Sequence, residues 1–522
     1  MNILGISSFY FDSAACLMWD GEIIAAAQEE RFTRNKRDGD FPINAIKYCL
    51  KEGGLEITDI DIVGFYDNSS QNVKKARSIL KKMGCCKEIV AFSRHESYLA
   101  SAFYPSPFDE SAIIISANHM TGILGGRGTS SHIETFKYLR FSYSLSDLYS
   151  AITSYLGFNA NSDEYKVMGL SAYGKPRYKD LLINKKEILS IKDLRKTQKI
   201  LKNLLKVDPR KPGAEISQEH MDIASSAQAA VEEETIKIVD YMSSLKSTDA
   251  LCLGGEMALN CLLNTKILRE KLFKKIWIQP ASTDAGCAVG AAFLVWHKYL
   301  ENKKSACPPD LMKNAFLGPA YSDNEIEAFL SGQNIPFKRV DYAQIPGFTA
   351  ELLASGNVIG WFQARMEFGP RALGSRSILA DSRNLSMHDR LNLKVKYREP
   401  FRPLAPSVLQ DKAGEYFELP QENPYMLFTA AVKEDKRSLI PAVTHIDGSS
   451  RVQTIKRDAH PLYYDTIYAF FQKTGCPVIV NTSFNTKNEP IVLSPKDAYN
   501  CFKSTDMDYL IMGNFVVDRS GK

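Results

Sequence analysis

The opening of the chain restricts its fold most. Two apolar runs, Asn2 to Ser7 (NILGIS) and Ala14 to Trp19 (AACLMW), flank a turn from Phe9 to Ser13. The dipeptide Asp20-Gly21 follows, and then EIIAAAQE. Asp-Gly between two apolar runs is the sequence of a two-residue β-hairpin, whose central positions need positive φ. A further strand signal, SAIIISAN, ends at Asn118 and is followed by Gly122, Gly125, Gly126 and Gly128. Helical stretches alternate with these strands, so the chain is expected to be an α/β protein.

With 522 residues the chain is too long for one ordinary core, and two or more domains are expected. Hydrophobic residues make up 44% and charged residues 24%, as in globular proteins. The net charge of +5 implies no general attraction to nucleic acid or membrane. No apolar stretch reaches the roughly 18 residues that span a bilayer. The N-terminus lacks a basic region and carries Asp12 and Asp20, so it reads as a buried strand and not a signal peptide. Ten cysteines lie in apolar context without zinc spacing, which implies reduced thiols and a cytoplasmic location.

Residues 176–250 carry Lys, Leu, Ile and Glu at helical spacing. DALCLGGEMALN then reads as a strand, a glycine turn and a helix, in which Gly254 and Gly255 could cradle phosphate on backbone N–H groups. KIWIQPASTDAGCAVGAAFLVW reads as a strand, a loop bearing Asp284, and a Gly/Ala helix able to pack closely. Proline, lysine and polar residues between Glu301 and Pro319 mark a linker, dividing the chain into 1–312 and 313–522.

The second part holds a dense basic block, with Arg365, Arg371, Arg376, Arg383, Arg390, Lys394, Lys396, Arg398 and Arg402 on a segment broken by Gly369, Pro370 and Gly374. Arginine grips phosphate or carboxylate at two points, so the block suggests a pocket for a nucleotide or a small acyl phosphate. The alternative is a solvated basic surface. Further on, GCPVIVNTSFN runs from an apolar strand into Asn481, Thr482, Ser483 and Asn485, which are suited to a polar ligand or simply to a turn.

Taken in order, DGEIIAAAQEERFTRNK, DEYKVMGLSAYGKP, QPASTDAG, the block from Arg365 to Pro406, and NTSFN with EPIV resemble the NodU/CmcH family of O-carbamoyltransferases. The resemblance covers essentially the whole chain. It implies an actin-like (ASKHA) N-terminal domain and a YrdC-like C-terminal domain. The latter would make carbamoyl-adenylate from ATP and carbamoyl phosphate, and the former would pass the carbamoyl group to a small-molecule, natural-product acceptor. By the same resemblance Arg371, Lys396, Arg402, Arg451, Asn481 and Ser483 would hold phosphates, carbamoyl group and nucleotide. Asp163, Glu164 and Lys166 would line the actin-like cleft, or form a salt-bridged loop.

The transfer site departs from the family. Phe11 stands where the family has a histidine base, Arg94 and Tyr98 where it has two metal-binding histidines, and Asn118 where it has an aspartate. Asp284 remains of the expected metal set, and Glu256 replaces a glycine of the glycine-rich turn. An arginine, a phenol, an amide and one carboxylate do not make a metal site, so no tightly bound metal is expected. Two readings follow. In one, a remodelled, metal-free pocket performs transfer, with Arg94 supplying the cation and Tyr98, His119, Glu256 or Asp284 the base, to an alcohol or amine acceptor. In the other, the N-terminal half is a non-catalytic scaffold and the chain is a partner or regulatory subunit of another carbamoyltransferase, or hands its adenylate to one. By the resemblance a homodimer, or a partner enzyme of a biosynthetic pathway, is expected.

Overall fold

The computed structural model describes residues 1–116, 123–130, 132–136, 144–184, 193–245, 248–305 and 309–519. The chain divides into two units, Met1–Ile24 with Leu50–Leu311, and Ala25–Cys49 with Met312–Lys522. Both are α/β.

The N-terminal unit is built on two five-stranded sheets. The first takes β1 (Asn2–Ser7), β2 (Ala14–Trp19), β3 (Glu22–Gln28), β4 (Ile62–Phe65) and β5 (Glu88–Ala91), in the order β3-β2-β1-β4-β5. β1 is antiparallel to β2 and parallel to β4, and β4 is parallel to β5. The second takes β6 (Ser111–Ser116), β7 (Ile123–Gly128), β8 (Ile133–Phe136), β9 (Ala250–Gly254) and β10 (Lys275–Ile278), in the order β8-β7-β6-β9-β10. Here too β6 is antiparallel to β7 and parallel to β9, and β9 is parallel to β10. The second sheet repeats the first, which is the duplicated topology of an actin-like fold. The repeat is structural, with no matching repeat in the sequence.

The predicted hairpin is present: Asp20 and Gly21 have φ of 47° and 86°. β1 is buried from Ile3 to Ser7. The Gly/Ala helix, Gly286–Leu294, fits against the helix Arg94–Phe103 and against β1. A Cβ on Gly290 would lie 2.0 Å from the carbonyl oxygen of Ser97, and one on Gly5 the same distance from that of Ala288. The glycine-rich run after Asn118 is itself the strand β7, and Gly128 lies under the Phe103 ring. Asn118, His119 and Gly122 lie outside the described residues. Within 176–250 the described helices are Lys179–Ile183, Leu194–Leu205 and Gln218–Ser244.

The C-terminal unit holds β11 (Lys338–Arg339), β12 (Ile359–Phe362), β13 (Arg376–Asp381) and β14 (Ala405–Leu409). A three-stranded sheet of β15 (Phe417–Glu418), β16 (Ala430–Val432) and β17 (Ser449–Ser450) follows. With β18 (Gln453–Ile455), β19 (Val478–Ser483), β20 (Tyr509–Met512) and β21 (Phe515–Asp518), the main sheet runs β11-β21-β20-β12-β13-β19-β14-β18. β19 lies inside it, antiparallel to both β13 and β14.

Residues 25–49 cluster with this unit through named bonds. Ala26 N–H donates to the Leu317 carbonyl at 3.0 Å, and Arg31 Nη2 to the Gly369 carbonyl at 2.8 Å. Arg34 donates to the carbonyls of Pro490 and Ile491, each at 2.8 Å. The buried carboxylate of Glu29 accepts from the backbone N–H groups of Asn44 and Ala45 at the start of the helix Ile43–Gly53. Every cysteine among the described residues is a free thiol, and all but Cys86 are buried. No helix among the described residues is long and apolar enough to cross a membrane.

Gly290→Ala is expected to cost about 1–3 kcal/mol, because backbone would have to move to admit the methyl group. Gly347→Ala, where an added Cβ meets nothing within 4 Å, should be neutral or slightly stabilising in its helix. Urea unfolding of the two variants checks the contrast.

Candidate functional sites

In the N-terminal unit the turn between β1 and β2 carries Phe9 and Asp12 at φ of 71° and 54°, with Phe11 exposed between them. Arg94 is the first residue of its helix, which Ser93 and Glu96 close with a capping box. Tyr98 lies one turn on, so the two side chains share a face. Asp284 arrives from the loop between β10 and the Gly/Ala helix. Arg94 Nη2 lies 3.1 Å from Asp284 Oδ1, and the Tyr98 hydroxyl donates to the same oxygen at 2.7 Å. The guanidinium stands over the Tyr10 ring at 4.1 Å, within the range of a cation–π contact, and 5.8 Å from the Tyr66 ring.

Burial acts to lower the Arg94 pKa, but the Asp284 carboxylate and neighbouring phenols outweigh it and raise the pKa above its ordinary value. Burial, Asp284 and Glu256 push the Tyr98 phenol well up, so it is protonated at neutral pH. Tyr98 is therefore a donor here, which corrects its inclusion among the candidate bases. These groups do not fit a metal: Arg94 cannot lose its proton, Tyr98 keeps its own, and Asp284 already receives both.

Of the expected transfer-site residues, Arg94, Tyr98 and Asp284 meet directly, and Glu256 acts electrostatically on Tyr98. Phe11 lies in the turn that also bears Tyr10, and Asn118 is outside the described residues. Sequence reasoning missed Tyr10 and Tyr66, whose only signal was their aromatic character at strand ends. Lys166 pairs with Asp163 at 2.9 Å in a buried ion pair. Glu164 accepts from the Ser150 hydroxyl at 2.6 Å. Gly255 has φ of 80° and precedes one 3₁₀ turn, Glu256–Leu259. The helix beyond, Cys261–Glu270, is capped by the Asn260 side chain, which accepts from Leu263 N–H.

In the C-terminal unit the Gly-Pro-Arg-Ala-Leu-Gly loop between β12 and β13 wraps around Glu367. Its Oε1 accepts from the backbone N–H groups of Leu373 (2.7 Å), Ser375 (2.8 Å) and Arg376 (3.3 Å). Gly374 has φ of 110°, and a Cβ there would lie 2.4 Å from the Tyr463 ring. The Gly374 carbonyl accepts from Trp361 Nε1 at 2.8 Å and faces His460 Nε2 at 3.1 Å. Burial lowers the His460 pKa to about 4, so its ring is neutral.

Beside this loop, Asn481 Nδ2 donates to Gln453 Oε1 (2.8 Å), the Ser407 hydroxyl (3.1 Å) and the Ala372 carbonyl (3.3 Å). Gln453 Nε2 donates to the Leu373 carbonyl at 2.8 Å. Two residues along β19, Ser483 accepts from Lys396 Nζ through its hydroxyl at 3.1 Å, and the Asn485 carbonyl accepts at 2.9 Å. Burial, with Arg398 and Arg402 nearby, lowers the Lys396 pKa well below its ordinary value. Thus Lys396, Asn481 and Ser483 gather on β19. Arg371 precedes Ala372, and Arg451 lies two residues before Gln453. Arg402 Nη1 approaches Glu399 at 3.8 Å. Sequence reasoning missed Glu367, Ser407 and Gln453, which contribute through hydrogen bonds that no spacing announces.

The basic block is not one pocket. Arg376 is wholly buried over the Phe362 ring and donates to the carbonyls of Gln363 (2.6 Å) and Pro319 (3.0 Å). Burial lowers its pKa to about 10. Arg365 donates to the Leu317 carbonyl, Arg383 pairs with Asp381, and Arg390 with Asp508. These four hold the fold, which corrects the reading of the whole block as a polyanion site.

The family model described as "Carbamoyltransferase N-terminus" matches residues 2–78 and 67–293, and "Carbamoyltransferase C-terminus" matches residues 350–519. Protein sll1178 of Synechocystis sp. is 41% identical, with 100% of this chain and 97% of that protein covered. Nodulation protein NolNO of Sinorhizobium fredii is 37% identical, over 98% of this chain and 80% of that protein. Among solved structures, (R)-2-hydroxyglutaryl-CoA dehydratase component A of Acidaminococcus fermentans covers 57% of this chain at 13% identity with a TM-score of 0.35.

Removing Asp284 would leave the Arg94 charge buried and unpaired. Asp284→Ala is expected to cost about 3–5 kcal/mol, and Tyr98→Phe about 1 kcal/mol. Denaturant unfolding of both variants against wild type measures the difference.

Proposed function

This chain belongs to the carbamoyltransferase family, and on that premise we propose that it makes carbamoyl-adenylate and passes the carbamoyl group to a small-molecule acceptor. The observation that carries this reading is the cluster on β19, where Lys396, Ser483 and Asn481 meet beside the Glu367-held loop bearing Arg371.

In the first step water cleaves carbamoyl phosphate: a new bond forms to the water oxygen, the bond between the carbamoyl group and phosphate breaks, and carbamate, inorganic phosphate and a proton result. A carbamate oxygen then attacks the α-phosphorus of ATP; the new O–P bond forms as the bond to pyrophosphate breaks, and pyrophosphate leaves with the electron pair. Negative charge gathers on the α-phosphate oxygens, and cations fixed beforehand stabilise it without reorganising. Lys396 suits this role because its partners at Ser483 and Asn485 are neutral oxygens, and a phosphate arriving beside it would counter the burial, Arg398 and Arg402 that lower its pKa and so hold its proton in place. Arg371, Arg402 and Arg451 supply planar forks for phosphate oxygens. The fixed amide of Asn481 orients the small group between them.

In the second step a lone pair of the acceptor, an alcohol or an amine, bonds to the carbamoyl carbon. The C–O bond to the phosphate breaks, AMP leaves, and the acceptor proton passes to a base or to water. The N-terminal unit performs this step at the site of Arg94, Tyr98 and Asp284, and no metal takes part in it. Glu256, whose charge acts on Tyr98, is the candidate base. We place the protein in the cytoplasm.

Arg402→Ala is expected to lower carbamoyl-phosphate-dependent release of pyrophosphate from ATP by about 10²–10³-fold. A wild-type rate in that variant would refute the assignment. Pyrophosphate release that yields no carbamoylated product with any alcohol or amine tested would instead fit a chain that hands its adenylate to a partner enzyme.

A further inference from the structure

A divalent metal held by two carboxylates and two neutral imidazoles has no net charge. A guanidinium paired with one carboxylate has none either. The family resemblance places imidazoles at positions 94 and 98 and a second carboxylate at position 118; this chain has Arg94, Tyr98 and Asn118 there. The acid absent at position 118 is matched by the acid gained at Glu256, so the fixed positive charge of Arg94 is what stands in place of the metal's.

The geometry fits a built-in cation. Asp284 Oδ1 receives Arg94 Nη2 and the Tyr98 hydroxyl together. The guanidinium is fixed on a third side by the face of Tyr10. The Nε of Arg94 is buried and has no hydrogen-bond partner in the protein, and neither have the buried hydroxyls of Ser7, Ser8, Ser13 and Tyr66. These serines lie at the end of β1 and the start of β2, and Tyr66 follows β4, the strand paired with β1. Each buried polar group without a partner costs about 1–3 kcal/mol, so a ligand that bonds to Arg94 Nε, whose guanidinium stands 5.8 Å from the Tyr66 ring, would relieve that cost. Because the ion pair is neutral, a phosphate dianion gains little there. A carbamoyl group suits it better, with a carbonyl to accept from Arg94 Nε–H and two N–H bonds to give to hydroxyls.

We propose that Arg94 is a built-in cation standing where a metal ion would be bound, so that the N-terminal unit holds and polarises an uncharged carbamoyl group without metal. This rests on the transfer role assigned to that unit above. Arg94 is then the group that touches the carbonyl oxygen, while Asp284, Tyr98 and Tyr10 position it.

Metal content tests the proposal without an acceptor. The full chain, equilibrated with excess Fe²⁺ or Zn²⁺ and desalted, is expected to carry only traces of either. The variant Arg94→His/Tyr98→His should take up at least about ten times more, since it sets two imidazoles beside the Asp284 carboxylate. Stoichiometric metal in the wild type would overturn the proposal, as would a variant that folds, by circular dichroism, yet binds no more metal than wild type. The wild-type measurement decides the matter even where the variant does not fold. Pyrophosphate release by the wild type is measured alongside: its absence would count against the adenylate reading alone, because metal content reports on the Arg94 site and not on β19.

Discussion

One buried carboxylate, Glu367, organises the C-terminal unit around its site. A single oxygen of it takes three backbone N–H groups of the loop that carries Arg371. A charge accepting several amide hydrogens in low dielectric is held strongly and in one direction. The loop therefore has little freedom, and what touches it inherits that rigidity: Asn481 through Ala372, Gln453 through Leu373, and Tyr463 and His460 through Gly374. Arg31 reaches the same loop at Gly369. A single buried side chain thus fixes the backbone from which Arg371 projects.

The two units treat their cations in opposite ways. Arg94 keeps its charge but is matched by the Asp284 carboxylate, so the pair as a whole is neutral. Lys396 meets a hydroxyl, an amide and carbonyls, while burial, Arg398 and Arg402 lower its pKa. At 4 Å and an effective dielectric near 20, a unit charge pair is worth about 4 kcal/mol. That is enough to make an anion distinguish the two surroundings. The contrast follows from partner chemistry and not from the number of basic residues.

Local features were legible in the sequence. Asp20-Gly21 announced its hairpin because a tight turn is decided by its own two residues. The NTSFN strand end and the departures at Arg94, Tyr98 and Asp284 were also readable as residue types. The basic block was misread because the acceptors of Arg365 and Arg376 are backbone carbonyls, and every residue has one. The duplication of the actin-like sheets left no trace because a buried strand requires only an apolar run. The allegiance of residues 25–49 was hidden for a related reason: Arg31 finds its partner at Gly369, far along the chain.

That last arrangement bears on how the protein is made. Residues 25–49 leave the ribosome early, but the carbonyls they bind, at Leu317, Gly369, Pro490 and Ile491, emerge late. At about 5–20 residues per second, the segment with Arg31 and Arg34 waits many seconds without its partners. Native contacts of such long sequence separation form slowly. A nascent chain of this design is most exposed to wrong pairing while its first half is already synthesised, and that interval is when a chaperone would have something to hold.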